Sequence, residues 1–486
     1  MEHKSRYLRT MSYFDFDDHH EDWEEPGRGR DHRYSDKELS ELLKAARQGS
    51  LSPDTIEEIA GYHLENTNFE EALKFLDVLV ERAPYSSDAW EKRGLVLNNI
   101  GRYEQALASF EQAEALNPAD LELLINKGIT LDNLGDAEAA LECLDTALSM
   151  DPGNEDALFN KGIAVEHTGR YQEAAFIFEE LIARDNENEA AWYELGYTYD
   201  FLDRLEESLR CYDRAIDLAP FNQNAWYNRG IILNRMGAYR KAIESYDFAL
   251  AIDEQFASAW YNRGNSFVNL TWFAEAIDCF QQTIALEADD IHAWHNLGNA
   301  YEENDQYVEA IEAYSRAITL FPDNFESLYG RGSAYESMHD FPSALRDYTR
   351  AVHFAPEASE IWYAKADVEF ELGKMEEAMI SLGNVLRLSP ENATAWVDFA
   401  EINLQVGRYD EALMAAERAI TLGDRLPEAH YFVAEAHLCL RDRQQMLAAL
   451  HRLSVIAPDG RDSEGNPLPD LTQREEFRRL IGDGGR

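Results

Sequence analysis

The sequence predicts an all-α solenoid of antiparallel helix pairs, and three observations carry that reading. Seven of the nine tryptophans (Trp90, Trp192, Trp226, Trp260, Trp294, Trp362 and Trp396) are separated by multiples of 34 residues. Eight prolines, from Pro84, Pro118 and Pro152 through Pro220, Pro322, Pro356 and Pro390 to Pro458, fall on a comb of the same period. Within each period, apolar residues recur every three or four positions on both sides of a polar break such as Asn99-Ile100-Gly101-Arg102. That is the pattern of two short helices and a tight turn. A period of roughly 20–50 residues marks stacked repeats, not independent globules. The register holds twelve repeats from Pro53 to Gly460, or 408 of 486 residues, without an insertion.

Each position of the repeat has a physical task. Position 4 is Trp or a large apolar residue such as Leu124, Leu158 or Leu328. Position 8 is small throughout: Gly94, Gly128, Gly162, Gly196, Gly230, Gly264, Gly298 and Gly332, with Ala60, Ala366, Ala400 and Ala434 in the other four repeats. Position 20 is Ala in ten repeats, Ser208 in one and Met446 in the last. Small residues at 8 and 20 let the two helices approach, since interaxial distance depends on the side chains at the contact. Bulky residues at position 24, among them Phe110, Phe178, Tyr212, Tyr246, Phe280, Tyr314 and Tyr348, fill the space beside that contact and reach the neighbouring repeat. Proline at position 32 ends the second helix because it cannot continue the hydrogen-bond ladder.

The ends differ from the array. Residues 1–34 lack helical periodicity, and Asp15 to Glu25 holds seven acids with Phe16 and Trp23 and no Lys or Arg, which predicts a disordered acidic arm. A docking segment is the alternative for that arm. Ser35 caps a helix through about Gln48, so residues 35–52 are expected to cover one end of the array. Residues 461–486 give a polar linker and then an amphipathic helix, Thr472 to Ile481, with Leu471, Phe477, Leu480 and Ile481 on its apolar side as the second cap.

This spacing of Trp, Gly, Ala, aromatic and Pro resembles the tetratricopeptide repeat, in register twelve times over. The resemblance implies a right-handed superhelix whose first helices line a concave groove that receives a partner. It also implies that positions 2, 5, 6, 9, 12 and 13 form the groove. These 72 positions hold 23 acids and only two bases, Lys92 and Arg235, against 92 acids and 44 bases in the whole chain. A negative groove for basic segments is one reading, and general solvation of a chain with net charge −48 is the other. Position 6 is Asn126, Asn160, Asn228, Asn262 and Asn296 in five repeats. An amide with one acceptor and two donors matches a peptide unit, so this row is similar to the asparagine ladder of O-linked N-acetylglucosamine transferases, broken here at Glu194. Helix solvation or a contact between adjacent repeats is the alternative. Position 5 adds Ile125, Phe159, Tyr193, Tyr227, Tyr261, Tyr329 and Tyr363, and position 9 adds Ile129, Ile163, Tyr197 and Ile231. Together they predict a partner-facing apolar strip. The expected peptide site is therefore the five asparagines with Tyr193, Tyr227, Tyr261, Tyr329 and Tyr363.

Several functions are disfavoured. Nucleic acid needs clustered bases, and the balance runs two to one the other way. No apolar run approaches the ~18 residues of a membrane span. The first residues have no apolar core of a signal peptide, so a cytoplasmic location is the expectation. The carboxylate clamp of chaperone-binding members needs inner-face bases that are missing here. Position 7 instead carries Arg93, Lys127, Lys161, Arg229, Arg263, Arg331 and Lys365, whose stems pack and whose heads meet nearby acids. Cys143, Cys211 and Cys279 stand at one position of alternate repeats and cannot pair, and His292 and His295 lack a third metal ligand. No phosphate loop or nucleophile elbow occurs. No cofactor is expected, and neither flank has room for a catalytic domain. The sequence thus predicts a non-catalytic scaffold for a protein or peptide with a basic or apolar segment. A ligand-responsive sensor and a structural assembly subunit stay open, and the oligomeric state is not fixed.

Overall fold

The computed structural model describes residues 36–482, apart from 424 and 464. The acidic arm of residues 1–34 lies outside the described residues. Every repeat forms two helices, A of thirteen residues and B of fourteen. Helix A starts at the first position, from Pro53–Glu65 in repeat 1 to Pro427–Cys439 in repeat 12. Helix B starts at position 17, from Phe69–Arg82 to Arg443–Ile456. In most repeats helix A is capped by the last residue of the preceding period: Asp120, Asn154, Asn188 and Asn324, for example, accept a backbone N–H of the first turn, while Phe256, Ala358 and Leu426 form no side-chain cap.

The A–B turn has one backbone requirement that recurs. Position 15 is left-handed in every repeat, filled by Gly101, Gly135, Gly169, Gly237, Gly373 and Gly407 and by six side-chain-bearing residues that include Thr67 and Thr271. This conformation sends the chain back so that helix B can lie along helix A.

That packing is a ring laid on a bare backbone. A Cβ built on Gly94 would stand 2.6 Å from the Phe110 ring, one on Gly162 2.6 Å from Phe178, and one on Gly298 2.6 Å from Tyr314. Position 24 therefore occupies the volume that a position-8 side chain would need. The repeats with Ala at position 8 carry Leu76, Leu382, Ala416 and Leu450 at position 24, so the contact keeps its thickness. Ala at position 20 is fully buried in all ten repeats that have it.

Tryptophan does more than fill space. The Nε1 of Trp90 donates to Pro84 O at 3.0 Å, Trp226 to Pro220 O at 2.9 Å and Trp362 to Pro356 O at 2.9 Å. The same six-residue hook is made by Trp192, Trp260, Trp294 and Trp396. Each indole ties helix A to the turn that precedes it. The position-7 bases lie over these rings, as Arg93 over Trp90 and Arg229 over Trp226. Their heads pair with helix-B acids, as Arg93 with Asp77 at 2.8 Å, Lys161 with Asp145 at 2.7 Å and Arg263 with Asp247 at 2.7 Å, except that Lys365 pairs with Glu369 of its own helix. Arg331 forms two bonds, 2.7 and 2.9 Å long, to the fully buried Asp347.

The chain divides into two bodies, residues up to Met236 and from Gly237 onward. Within each, every helix packs on its sequence neighbours, and helix A also touches helix A of the next repeat. In the first body a helix over Asp36–Arg47 packs on helix B of repeat 1. In the second, Leu471 is buried and Phe477 and Leu480 pack against Ala434, Leu438 and Met446, so Leu471–Gln473 and the helix Glu475–Gly482 cover the end of repeat 12. The cysteines are unpaired, and burial pushes the thiols of Cys211 and Cys279 up to about 12 and about 11.

Candidate interaction surface on the A helices

The row of A helices presents the positions expected to form the groove, and the structure shows how they are held. Position 5 of one repeat bonds position 6 of the next, 35 residues on. In the first body, Asn126 donates to Glu91 at 3.4 Å and Asn228 to the Tyr193 hydroxyl at 2.8 Å. In the second, Asn296 donates to the Tyr261 hydroxyl at 3.0 Å, and the Tyr363 hydroxyl donates to Asp398. Asn160 and Asn262 also bond their own helices, donating to Asp156 O at 2.8 Å and Ser258 O at 3.0 Å. The asparagines are thus engaged within the protein, by adjacent repeats or by the helix.

The position-5 rings are only partly available. Phe159 packs against Phe178, Tyr193 against Tyr212, Tyr261 against Phe280 and Tyr329 against Tyr348, with ring centroids 5.7–5.9 Å apart. Ile125 and Phe159 are buried in the core, which removes them from the expected partner-facing strip. The Phe178 ring that fills the gap at Gly162 reaches beneath Phe159 and takes that side chain into the core, and Ile125 joins the same core with Leu144. Tyr193, Tyr227, Tyr261, Tyr329 and Tyr363 stay half-buried. Tyr227 and Asn228 lie in the first body, and Tyr261, Asn262 and Asn296 in the second.

The inter-repeat bond fails where sequence removes its donor. Position 6 is Gly330 in repeat 9 and Ala364 in repeat 10, opposite His295 and Tyr329. A cavity of about 410 Å³ opens there. Tyr314 floors it, since a Cβ on Gly330 would come within 2.5 Å of that ring. Phe325 and Tyr329 give it aromatic walls, and Glu302, Glu303, Glu326 and Glu360 stand around it. The Tyr314 hydroxyl lies 2.8 Å from Glu302 Oε2 and 2.7 Å from Asn299 Oδ1 and shares its one proton between them, which fixes the floor. His295 contacts Ser327 at 3.0 Å and Asn299 at 3.1 Å, and burial lowers its pKa to about 4, so it adds no positive charge at neutral pH.

Electrostatics divide the two bodies. Both groove-position bases lie in the first, and both are paired: Lys92 with Glu57 at 2.5 Å and Asp88 at 2.8 Å, Arg235 with Asp200 and with Asp203 at 2.7 Å. In the second body, the groove positions of repeats 8–12 hold acids and no base. Burial and like charge raise the pKa values of Glu336, Asp367 and Glu401 there. Among the described residues no cluster of His, Cys, Asp or Glu is arranged to hold a metal ion, and no helix is long and apolar enough to cross a membrane. The missing position-6 donors were legible in the sequence. The bonds that they interrupt were not.

Comparison with known proteins gives the same repeat. Tetratricopeptide repeat models match residues 58–120, 125–189, 329–393 and 381–430, residues 167–228, residues 224–256 and 292–324, and residues 257–290. No curated protein matches. Similar solved structures include a tetratricopeptide repeat protein from Parabacteroides merdae (20% identity over 51% of this chain and 98% of that one, TM-score 0.38). The crystal structure of YrrB, described as having an unusual peptide-binding site, is 21% identical over 39% of this chain and 97% of its own, with a TM-score of 0.36. The Cut9–Hcn1 hetero-tetramer structure of the APC/C is 14% identical over 93% and 99%, with a TM-score of 0.38. With matched segments covering most of residues 58–430 and a helix pair in every 34-residue period, the chain belongs to the tetratricopeptide repeat family.

Proposed function

We propose that the chain is a non-catalytic protein-interaction scaffold whose second body holds an extended basic segment of a partner on its A helices. The cavity at Gly330 is the observation that carries this. Its size falls in the ~300–1,000 Å³ range of ligand sites, and its aromatic walls suit alkyl stems and cation faces. Its rim supplies carboxylates, and no groove-position base competes for them in that body. Complementary charge of this kind sets the rate and choice of partner more than raw affinity. Tyr329 and Tyr363 lie along the same surface. Asn296, whose amide donates to Tyr261 and Asn265, would offer its carbonyl oxygen to a partner N–H.

The test is affinity for a partner recovered from lysate, with wild type compared with the Glu303→Gln/Glu360→Gln double variant. Loss of roughly one charge-assisted contact per site predicts a drop of about tenfold or more. Binding should also weaken with added salt, because exposed charges are screened beyond ~10 Å at 0.1 M. A partner held equally well by the double variant and indifferent to salt would refute the acidic groove.

A further inference from the structure

With Ile125 and Phe159 taken into the core, the A-helix face of the first body keeps an apolar row at position 9. Leu95, Ile129, Ile163, Tyr197 and Ile231 are half-buried there, one in each of repeats 2–6. Each of those A helices touches the next, so the five side chains make one strip, and a contiguous apolar patch of this kind marks an interaction site. The strip stops with the first body, since position 9 of the next three repeats is Asn265, Asn299 and Ser333. Acids border it. The groove positions of repeats 1–6 hold twelve acids, and their two bases, Lys92 and Arg235, are already paired with carboxylates. Glu122 and Asp156, at position 2, are exposed. Burial, with like charge from Asp120, Glu122 and Asp88, pushes Glu91 up to about 7, as befits a face short of cations.

Such a strip calls for a segment that is both apolar and basic, and the chain itself holds one. Residues 3–14 include Lys4, Arg6 and Arg9, no acid, and five large side chains with apolar surface, Tyr7, Leu8, Met11, Tyr13 and Phe14. The next eleven residues, Asp15 to Glu25, carry seven acids that this face would repel, so complementarity singles out residues 3–14. The reach is ample. Twenty-one residues separate Phe14 from Asp36, where the helix packed on repeat 1 begins. At ~3.3–3.6 Å each they can span about 70 Å. Touching helices lie roughly 8–10 Å apart, so the three repeats that lead from repeat 1 to Ile163 in repeat 4 take about 30 Å. A tether of this kind keeps its segment at an effective concentration of roughly millimolar, so that weak charge pairing and modest apolar burial are enough to hold it.

We propose that residues 3–14 dock on the position-9 strip of their own chain's first body, so that a partner reaches this face only by displacing them. The test is photo-crosslinking of the full chain carrying Leu8→p-benzoylphenylalanine, with the crosslinked peptides identified by mass spectrometry in a mixture of isotopically light and heavy chains. Crosslinks should form within one chain and fall on the A-helix peptides that contain Ile129, Ile163 or Ile231. Charge reversal of the arm, Lys4→Glu/Arg6→Glu/Arg9→Glu, should reduce them severalfold, and added salt should reduce them as well, because exposed charges are screened beyond ~10 Å at 0.1 M. That variant leaves the repeats untouched, so its effect is not one of unfolding. Ile129→Ser/Ile163→Ser should reduce the same crosslinks from the other side of the contact. Glu303→Gln/Glu360→Gln, in the second body, should leave them unchanged, which keeps this proposal and the acidic-groove reading separately refutable. No crosslink to these A helices, or crosslinks indifferent to charge reversal of the arm, would overturn the docking. Crosslinks formed only between light and heavy chains would overturn docking within one chain and give the strip to a second copy.

Discussion

Asn296 donates to the hydroxyl of Tyr261 at 3.0 Å, joining helix A of repeat 8 to helix A of repeat 7. Its amide also reaches Asn265 Oδ1 at 3.0 Å. The residue type that sequence reasoning assigns to peptide recognition is here first a fastener between repeats.

That gives the amide a measurable share of stability. Asn296→Ala should cost ~0.5–1.5 kcal/mol, the net worth of an ordinary intramolecular hydrogen bond. Tyr261→Phe should cost a similar amount, and the double variant less than the sum, because one bond is lost in either case. Chemical denaturation of the four proteins measures this. Strictly additive losses would mean that the two side chains are not coupled.

A second prediction concerns the ring on the bare backbone. Gly298→Ala places a methyl 2.6 Å from the Tyr314 ring, and such overpacking costs ~1–3 kcal/mol. Joining it to Tyr314→Leu should recover part of the loss, since three of the four repeats with Ala at position 8 carry Leu at position 24, namely Leu76, Leu382 and Leu450. The recovery should be incomplete, because the Tyr314 hydroxyl bonds to Asn299 and Glu302 are lost. A double variant less stable than the sum of the singles would contradict this packing.

How much the sequence disclosed depends on whether a residue acts by size or by direction. Position 8 had to be small and position 24 large, and both constraints are visible as letters, so helix starts, the tight turn and the core followed from the period. The Trp90 hook onto Pro84 O and the Asn228–Tyr193 bond depend on where polar atoms point, which no spacing shows. Phe159 looked partner-facing by position yet is buried, because the Phe178 ring beneath it extends the core to that face. The cavity at Gly330 was present in the letters as an interrupted asparagine row. Its meaning needed the bond between positions 5 and 6.

The turn offers a stabilising change. Thr271 has φ +60°, a left-handed conformation that a β-branched residue adopts only at a cost of roughly 1–2 kcal/mol. Six repeats place glycine there instead. Thr271→Gly should therefore raise stability, by about 1 kcal/mol or less once the greater freedom of glycine in the unfolded chain is subtracted. A lower thermal midpoint for the variant would show that the threonine side chain makes a compensating contact.

Acidity should act on the first body through Glu91. Burial, with Asp120, Glu122 and Asp88 close by, pushes its carboxyl up to about 7, although Asn126 donates to it at 3.4 Å. In the unfolded chain a glutamate titrates near ~4.3. Between those two values the folded state holds the proton and the unfolded state has released it, so stability falls as pH rises through that window. The penalty is fully present above pH 7 and absent below about pH 4. Partial exposure makes it smaller than the full ~1.4 kcal/mol per pKa unit. Glu91→Gln cannot ionise and should be more stable than wild type at pH 8, with the gap closing at pH 5. Thermal unfolding of both proteins at the two pH values measures it. A gap that is equal at both, or that widens towards pH 5, would mean that the Glu91 carboxylate is held in its charged form and that Asn126 outweighs the surrounding acids.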